Sequence, residues 1–410
     1  MASLPIHRSA PCGGRVDLAT RPPAAPLARP IHSVLQRVVR VAMAACLAMP
    51  LAVHAGAPGK VTVAARGWVL YDMAARQTLA SENAGRRFEP ASLTKLMTTY
   101  LTLQAIERGQ VGRQQVVTPS AAVASVPGAR MYVDNKHPAT VQQLLQGLVT
   151  VNANDAAVAL AEAVASSEDR FAERMNEQAV RLGMSGTHFA NASGKPHPQH
   201  FSTPLDMARL GEALLRDFPD EQKLFSAAQF GFNGLTQPSR NRLLRRDPTV
   251  DGLIAGQAPG SGYSVIASAK RGERRLLAVV TGADTDRVRT SETQRLLNLG
   301  FTRWEVMRIG GVDKELARVR VWKGDSREVA LGLAGETLLA VPREHSARLK
   351  PVIEVRKRVE APVSEGQALG RLRLVSGEQT VAEYPLVARE SVPVGGFIRR
   401  MFDTALLWLQ

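Results

Sequence analysis

The apolar positions of this chain repeat with two different periods, and the switch between them divides it. Arg66-Gly67-Trp68-Val69-Leu70-Tyr71-Asp72 is rich in strand formers, and Gln77-Thr78-Leu79-Ala80 follows at hairpin distance. Beyond Pro90, the residues Leu93, Leu96, Met97, Tyr100 and Leu101 fall at the spacing of a buried helix. That spacing returns at Val141, Leu144, Leu145 and Leu148, breaks at Val151-Asn152-Ala153-Asn154-Asp155, and resumes over 156–165. The break is expected to be a capping turn, with Asn154 or Asp155 starting the second helix. Thr203 as cap and Pro204 in the first position predict a further helix that runs to Leu215. Residues 250–256 read as a glycine-rich turn, 264–269 and 276–282 as strands, and 291–299 as a helix. Strands followed by a helix predict a sheet packed against helices, in one α/β unit that ends near Val306.

From about Leu316 the period falls to two, as at Val319/Val321 and Leu372/Leu374, with Gly and Pro turns between short runs. A small all-β domain is expected there. The chain then closes with an amphipathic stretch over 397–410. Phe397, Ile398, Met401, Phe402, Ala405, Leu406 and Leu409 share one face, Arg399, Arg400, Asp403, Thr404 and Gln410 the other, and Leu407 intrudes on the polar side. The stretch is too short to span a bilayer, so it is expected to lie in the membrane interface with Trp408 at headgroup level. A helix docked on the protein is the alternative.

Composition adds a compartment to this picture. A length of 410 residues suggests two or three domains, and 45% apolar residues suffice for a core. Arg37 and Arg40 precede an apolar run over 41–53 that ends in Val53-His54-Ala55, the pattern of a secretory signal peptide cleaved after Ala55, with 1–36 as a long leader. Both cysteines, Cys12 and Cys46, precede that point, so the mature protein is expected to have no disulfide, thiolate metal site or cysteine nucleophile. The leader carries six Arg and one Asp, so its removal lowers the net charge from +15 to +10. Such a surface suits an anionic membrane or polymer, and equally a generally basic soluble protein. Export and an aromatic content of 5% argue against nucleic acid as a partner.

The candidate chemistry sits in Glu89-Pro90-Ala91-Ser92-Leu93-Thr94-Lys95-Leu96-Met97, which holds the only Ser-x-x-Lys of the sequence. Three residues apart on a helix is the same face. A lysine held beside a serine in a desolvated pocket can lose its proton and act as the base for that hydroxyl. Taken alone, the spacing favours a helix cap with a solvated lysine over a catalytic pair. His197 and His200 lie among prolines without a third ligand, so no metal is expected, and no cofactor is implied.

Taken together, Pro90-Ala91-Ser92-Leu93-Thr94-Lys95, Asn154-Asp155-Ala156, Thr203-Pro204-Leu205-Asp206-Met207-Ala208, Asn241-Arg242-Leu243-Leu244 and Val250-Asp251-Gly252-Leu253 resemble the D-alanyl-D-alanine carboxypeptidases. These are the low-molecular-mass penicillin-binding proteins, and the likeness covers nearly all of the mature chain. It implies an α/β (α+β) penicillin-binding/β-lactamase-like domain over 56–306 with an antiparallel sheet against helices. A small β-rich domain over 307–391 and an amphipathic membrane-associating helix over 392–410 follow, after a leader and signal peptide over 1–55. It also implies an exported, periplasmic protein on the outer face of the inner membrane, peptidoglycan pentapeptide as substrate, and β-lactams as acylating ligands.

By that resemblance Ser92 is the nucleophile, Lys95 the general base, and Asn154 the asparagine that holds the substrate peptide and Lys95. The N–H groups of Ser92 and Gln257 form the oxyanion site, and Arg289 helps to hold the substrate carboxylate. The family motifs are Ser-x-x-Lys, Ser-x-Asn and Lys-Thr-Gly, and only the first is intact. Asn152 stands in the place of the second serine and cannot relay a proton as a hydroxyl does. Ile254-Ala255-Gly256 stands in the place of Lys-Thr-Gly, without the ammonium or the hydroxyl that support a carboxylate. Without that cationic neighbour, Lys95 is expected to stay protonated more of the time. The expectation is a serine-type carboxypeptidase of impaired activity; the alternative is a peptidoglycan- or partner-binding pseudoenzyme of the same fold.

Overall fold

The computed structural model describes residues 61–311 and 314–408; the leader, the signal peptide and both cysteines lie outside these. Strands β1 (Gly67–Asp72) and β2 (Gln77–Glu82) form the expected hairpin. They join β3 (Val250–Ala258), β4 (Gly262–Arg271) and β5 (Arg274–Ala283) in a five-stranded antiparallel sheet of order β2-β1-β5-β4-β3. β3 is therefore an edge strand, not the glycine-rich turn that the sequence suggested. Its glycines serve close approach rather than chain reversal.

Helices cover both faces of the sheet. Val69, Leu253, Ile254, Ile266, Leu277 and Val279 on one face are continuous with the helical core, which includes α1 (Lys95–Glu107), α2 (Val141–Val151) and α3 (Asn154–Ala165). Also in that core are α4 (Glu168–Arg181) and α5 (Pro204–Asp217), the latter capped by the Thr203 hydroxyl, which accepts from Asp206 N–H at 3.1 Å as the sequence predicts. On the other face α6 (Asp286–Arg303) lays Leu296 and Leu297 against Leu70, Leu276 and Ala278. Burial of both sheet faces explains why β3, β4 and β5 are near-continuous apolar runs, whose period of two is hard to read.

Beyond α6 the chain is β-rich. A six-stranded sheet encloses a separate core of Val319, Val321, Val329, Leu331, Leu372, Leu374 and Leu386. The Gln77 amide clamps the strand Thr337–Pro342 of this part to the first sheet, donating to Ala340 O at 3.1 Å and accepting from Ala340 N at 3.2 Å. The last helix, α7 (Phe397–Trp408), is held by its polar side: Asp403 accepts from Lys323 N–H at 2.6 Å and Arg399 donates to Asp325 O at 2.5 Å. Its apolar residues Phe397, Ile398, Met401, Phe402 and Trp408 point outward and are exposed. Among the described residues no helix is long and apolar enough to cross a membrane.

Candidate active site

Ser92 lies in a tight 3₁₀ turn, Ala91–Thr94, that leads directly into α1. Three residues per turn stack positions i and i+3, so Ser92 and Lys95 share one side, as their spacing predicted. Lys95 is fully buried, and its Nζ donates to the Ser193 carbonyl at 2.5 Å. This excludes the solvated lysine of a simple helix cap. Burial pushes its ammonium down to about 7, against the opposing pull of the Asp155 carboxylate. The lowering that the sequence reading assigned to a neighbouring cation is thus supplied by desolvation.

The carbonyl that receives Lys95 belongs to a rigid loop. Asn191 Oδ1 accepts from the backbone N–H of Gly194 at 2.7 Å and of Lys195 at 3.0 Å. Gly194 has φ +81°, and a Cβ there would stand 1.8 Å from the Ala91 carbonyl oxygen, so glycine alone lets this loop close behind Ser92. His200, one of the two histidines weighed as metal ligands, is a buried part of the same scaffold. Its Nδ1 accepts from Ala190 N–H at 3.2 Å, which leaves the Nε2 proton for the Thr94 hydroxyl at 2.7 Å. Burial pushes its pKa down to about 4, so the ring is neutral. Among the described residues there is no cluster suited to a metal.

The wall opposite is built from the helix break and the edge strand. Asn152 closes α2 in the left-handed conformation at φ 61°, where an asparagine is tolerated. Its Nδ2 donates to the Ala255 carbonyl at 2.6 Å, while its Oδ1 is buried without a partner among the described residues. Asn154 starts α3, as expected, but the cap residue is Ala153, with no side-chain bond. Asp155 is freed to bind the 131–133 loop, accepting from the N–H groups of Met131, Tyr132 and Val133. Asn154 donates to the Pro127 carbonyl at 2.7 Å, and the recorded partner of the Lys95 ammonium is Ser193, not Asn154.

On β3, Gly256 faces Ser92 so closely that a Cβ there would stand 2.7 Å from the Ser92 Cβ. Ala255 and Gln257 line the cleft, but Ile254 does not; it is 1% exposed and packs into the helical core. Its place in a sequence motif therefore does not make it part of the wall. Arg289 on α6 reaches the cleft from below, with Nη1 donating to Gly256 O at 3.1 Å and Ser264 O at 3.2 Å. Its Nη2 donates to Arg240 O at 3.3 Å and pairs closely with Asp286. Burial lowers the pKa of this guanidinium, and Asp286 opposes the shift.

These walls bound an open cleft of about 440 Å³ with Ser92, Asn152, Gln257 and Arg289 on its surface. Glu89, Arg240 and Asp286 also line it, and the sequence did not single out Glu89 or Asp286. Each lies three residues before a residue that was singled out, Glu89 before Ser92 and Asp286 before Arg289.

A serine at a helix start, a buried lysine behind it and an edge strand in front are the plan of a penicillin-binding serine peptidase. The comparisons give the family. Residues 52–285 match the D-alanyl-D-alanine carboxypeptidase family, and 305–394 match the C-terminal domain of penicillin-binding protein 5. D-alanyl-D-alanine carboxypeptidase DacC of Escherichia coli is 36% identical over 354 residues, covering 84% of this chain and 88% of its own. The crystal structure of penicillin-binding protein 5 from Haemophilus influenzae superposes with a TM-score of 0.77 at 31% identity, covering 82% of this chain and 99% of the other. Penicillin-binding protein D2 from Listeria monocytogenes, solved in its ampicillin-bound form, gives 0.56 at 28% identity over 60% of this chain and all of its own. This chain belongs to the D-alanyl-D-alanine carboxypeptidase family of serine peptidases.

Proposed function

We propose that this protein is a serine-type D-Ala-D-Ala carboxypeptidase that acts on peptidoglycan stem peptides through an acyl-enzyme at Ser92, at a reduced rate. The observation that carries the reading is the fully buried Lys95, pushed down to about 7 one turn from Ser92. Neutral Lys95 takes the Ser92 proton as Oγ attacks the penultimate carbonyl, and the oxyanion meets the N–H groups of Ser92 and Gln257. The C–N bond then breaks, the amine leaves with a proton, and water hydrolyses the ester. The edge of β3 offers backbone groups to an extended peptide beside Ser92. Outside the cell's cytoplasm, 397–410 holds the protein to the outer face of the inner membrane.

The reduced rate rests on what replaces the missing hydroxyls. Asn152 is tied to Ala255 and cannot pass a proton to the leaving amine, a step worth about 10²–10⁴-fold. The same tie favours the second reading, a peptidoglycan-peptide-binding pseudoenzyme that no longer turns over. Intact-mass measurement with a labelled penicillin separates the two. Slow, stoichiometric labelling that disappears in Ser92→Ala supports the enzyme; no adduct after prolonged incubation supports the binder. Fast labelling, at the rate of a relative with all three motifs, rejects impairment.

A further inference from the structure

We propose that Arg66, Arg86 and Arg87 form a second substrate subsite, which takes a free carboxylate carried by the stem peptide two or three residues upstream of the bond that Ser92 attacks. The inference deepens the acyl-transfer reading of Ser92 and rests on it. The three arginines line a recess of about 160 Å³ together with Asn83, Ser261 and Thr281, and no carboxylate lines it among the described residues. None of the three pairs with an acid among those residues, whereas Arg113, Arg271, Arg274 and Arg275 each do. Two of the cations are held in place by other means. Arg66 lays its stem across Gly282, where a Cβ would stand 2.8 Å from the Arg66 Cγ, and its Nη1 donates to Gly260 O at 2.9 Å. Arg87 stacks on the Phe201 ring, 4.1 Å from its centroid. Stacking uses the face of a guanidinium and leaves its N–H edge for a ligand. That edge is a fork that matches the two oxygens of a carboxylate.

The recess adjoins one end of the cleft. Pro259 lines the cleft and Ser261 the recess, and both belong to the turn between β3 and β4. Glu89 stands on the wall between them: it lines the cleft and accepts from the Ser261 hydroxyl at 3.3 Å. Three guanidiniums against this one carboxylate leave the border positive. In the acyl-transfer reading, the leaving residue turns to the wall of Ala255 and Arg289, and the scissile carbonyl oxygen to the N–H of Gln257. The residues upstream therefore run the other way along β3, past Ala258 to the turn. An extended chain covers about 3.4 Å per residue, and the turn begins two residues beyond Gln257. A side group two or three residues upstream of the scissile bond thus reaches the arginines. In a peptidoglycan pentapeptide the second residue, a γ-linked glutamate, offers a free α-carboxylate at that distance.

The test uses equilibrium binding to the full chain carrying Ser92→Ala, so that turnover plays no part. Two pentapeptides are titrated calorimetrically at low salt: acetyl-L-Ala-γ-D-Glu-L-Lys-D-Ala-D-Ala with its α-carboxylate free, and the same peptide with that group as a carboxamide. The acid is expected to bind about fivefold more tightly, the scale of a partly exposed charge pair. Adding Arg86→Gln and Arg87→Gln is expected to bring the two affinities within about twofold of each other, while diacetyl-Lys-D-Ala-D-Ala, which ends short of the recess, binds as before. Equal binding of acid and carboxamide without the arginine substitutions, no measurable binding of either, a preference that survives those substitutions, or equal weakening of all three ligands overturns the proposal. Inorganic phosphate is the control for a general anion site: phosphate binding with no preference between the pentapeptides also overturns it. The preference measured before the arginines are changed decides the matter should the variant not fold. Penicillin labelling of Ser92 without the acid preference rejects this inference alone. The preference without any Ser92 adduct rejects the hydrolytic reading and leaves this one standing.

Discussion

Gly256 on the edge strand lies against Ser92 with no room for a side chain: a Cβ on the glycine would stand 2.7 Å from the Cβ of the serine. Real Cβ atoms do not approach so closely, so the strand or the 3₁₀ turn must move when one is added. Because displacement of about 1 Å at a reacting centre can cost about 10²-fold, Gly256→Ala is expected to slow acylation of Ser92 by at least that factor. Thermal denaturation should show a much smaller effect, since the strand's pairing with β4 is retained. An acylation rate within threefold of the parent would mean that the turn absorbs the methyl group without moving Oγ.

The pH dependence of acylation should follow Lys95. A lysine whose ordinary pKa of 10.5 is pushed down to about 7 by burial is an ammonium below that value and a free base above it. The base form is the one that accepts the serine proton, so the rate of labelled-penicillin incorporation is expected to rise through about pH 7 and then level off. The same shift affects stability. Between about pH 7 and 10.5 the unfolded chain binds a proton that the folded chain does not, so this group's contribution favours folding increasingly as pH rises across that window. A rate that climbs steadily to pH 10 would assign the base to a group with an unshifted pKa.

Restoring the lost hydroxyls should restore rate. Asn152→Ser returns a proton relay and Ala255→Thr a carboxylate contact, and together they are expected to raise Ser92 acylation by about 10²-fold, within the range of a general acid-base step. Stopped-flow or quenched-flow acylation of the double variant reads this directly. An unchanged rate would place the divergence of the pocket elsewhere.

Ile254→Lys, which completes the third motif in sequence, is expected to behave differently. Ile254 is 1% exposed within the helical core, so an ammonium there is uncompensated and should destabilise the fold by about 3–5 kcal/mol. Denaturant unfolding of the single variant measures the cost. A change below about 1 kcal/mol would show that the lysine reaches the cleft or a partner.

The terminal helix presents Phe397, Ile398, Met401, Phe402 and Trp408 to solvent while its polar side holds the β-rich part. Removal of 394–410 is expected to move the protein from sedimenting vesicles to the supernatant in a lipid co-pelleting assay. Equal pelleting of both forms would assign the attachment to another surface.

Local chemistry was legible in the sequence, because it depends on neighbours along the chain. The Ser92–Lys95 spacing, the cap and proline at Thr203–Pro204, the hairpin of β1 and β2, and the exposed apolar face of α7 are each set by a few consecutive residues. What remained hidden depends on distant pairs. Residues 250–256 suggested a turn because glycines break strands on average, and only packing against Ser92 shows that Gly256 is there to let two backbones meet. Ile254 looked like a site residue because of its place in a motif, whereas strand orientation turns it into the core. The sequence could name a desolvated pocket for Lys95 but not show one, since burial is a property of the folded interior and not of any neighbour in sequence. The Asn152–Ala255 tie likewise arises where the helix break and the edge strand converge. Sequence alone thus picked out the Ser92–Lys95 pair, because three residues along a helical turn share a side, whereas only the folded chain buries that lysine and sets the edge strand against the serine.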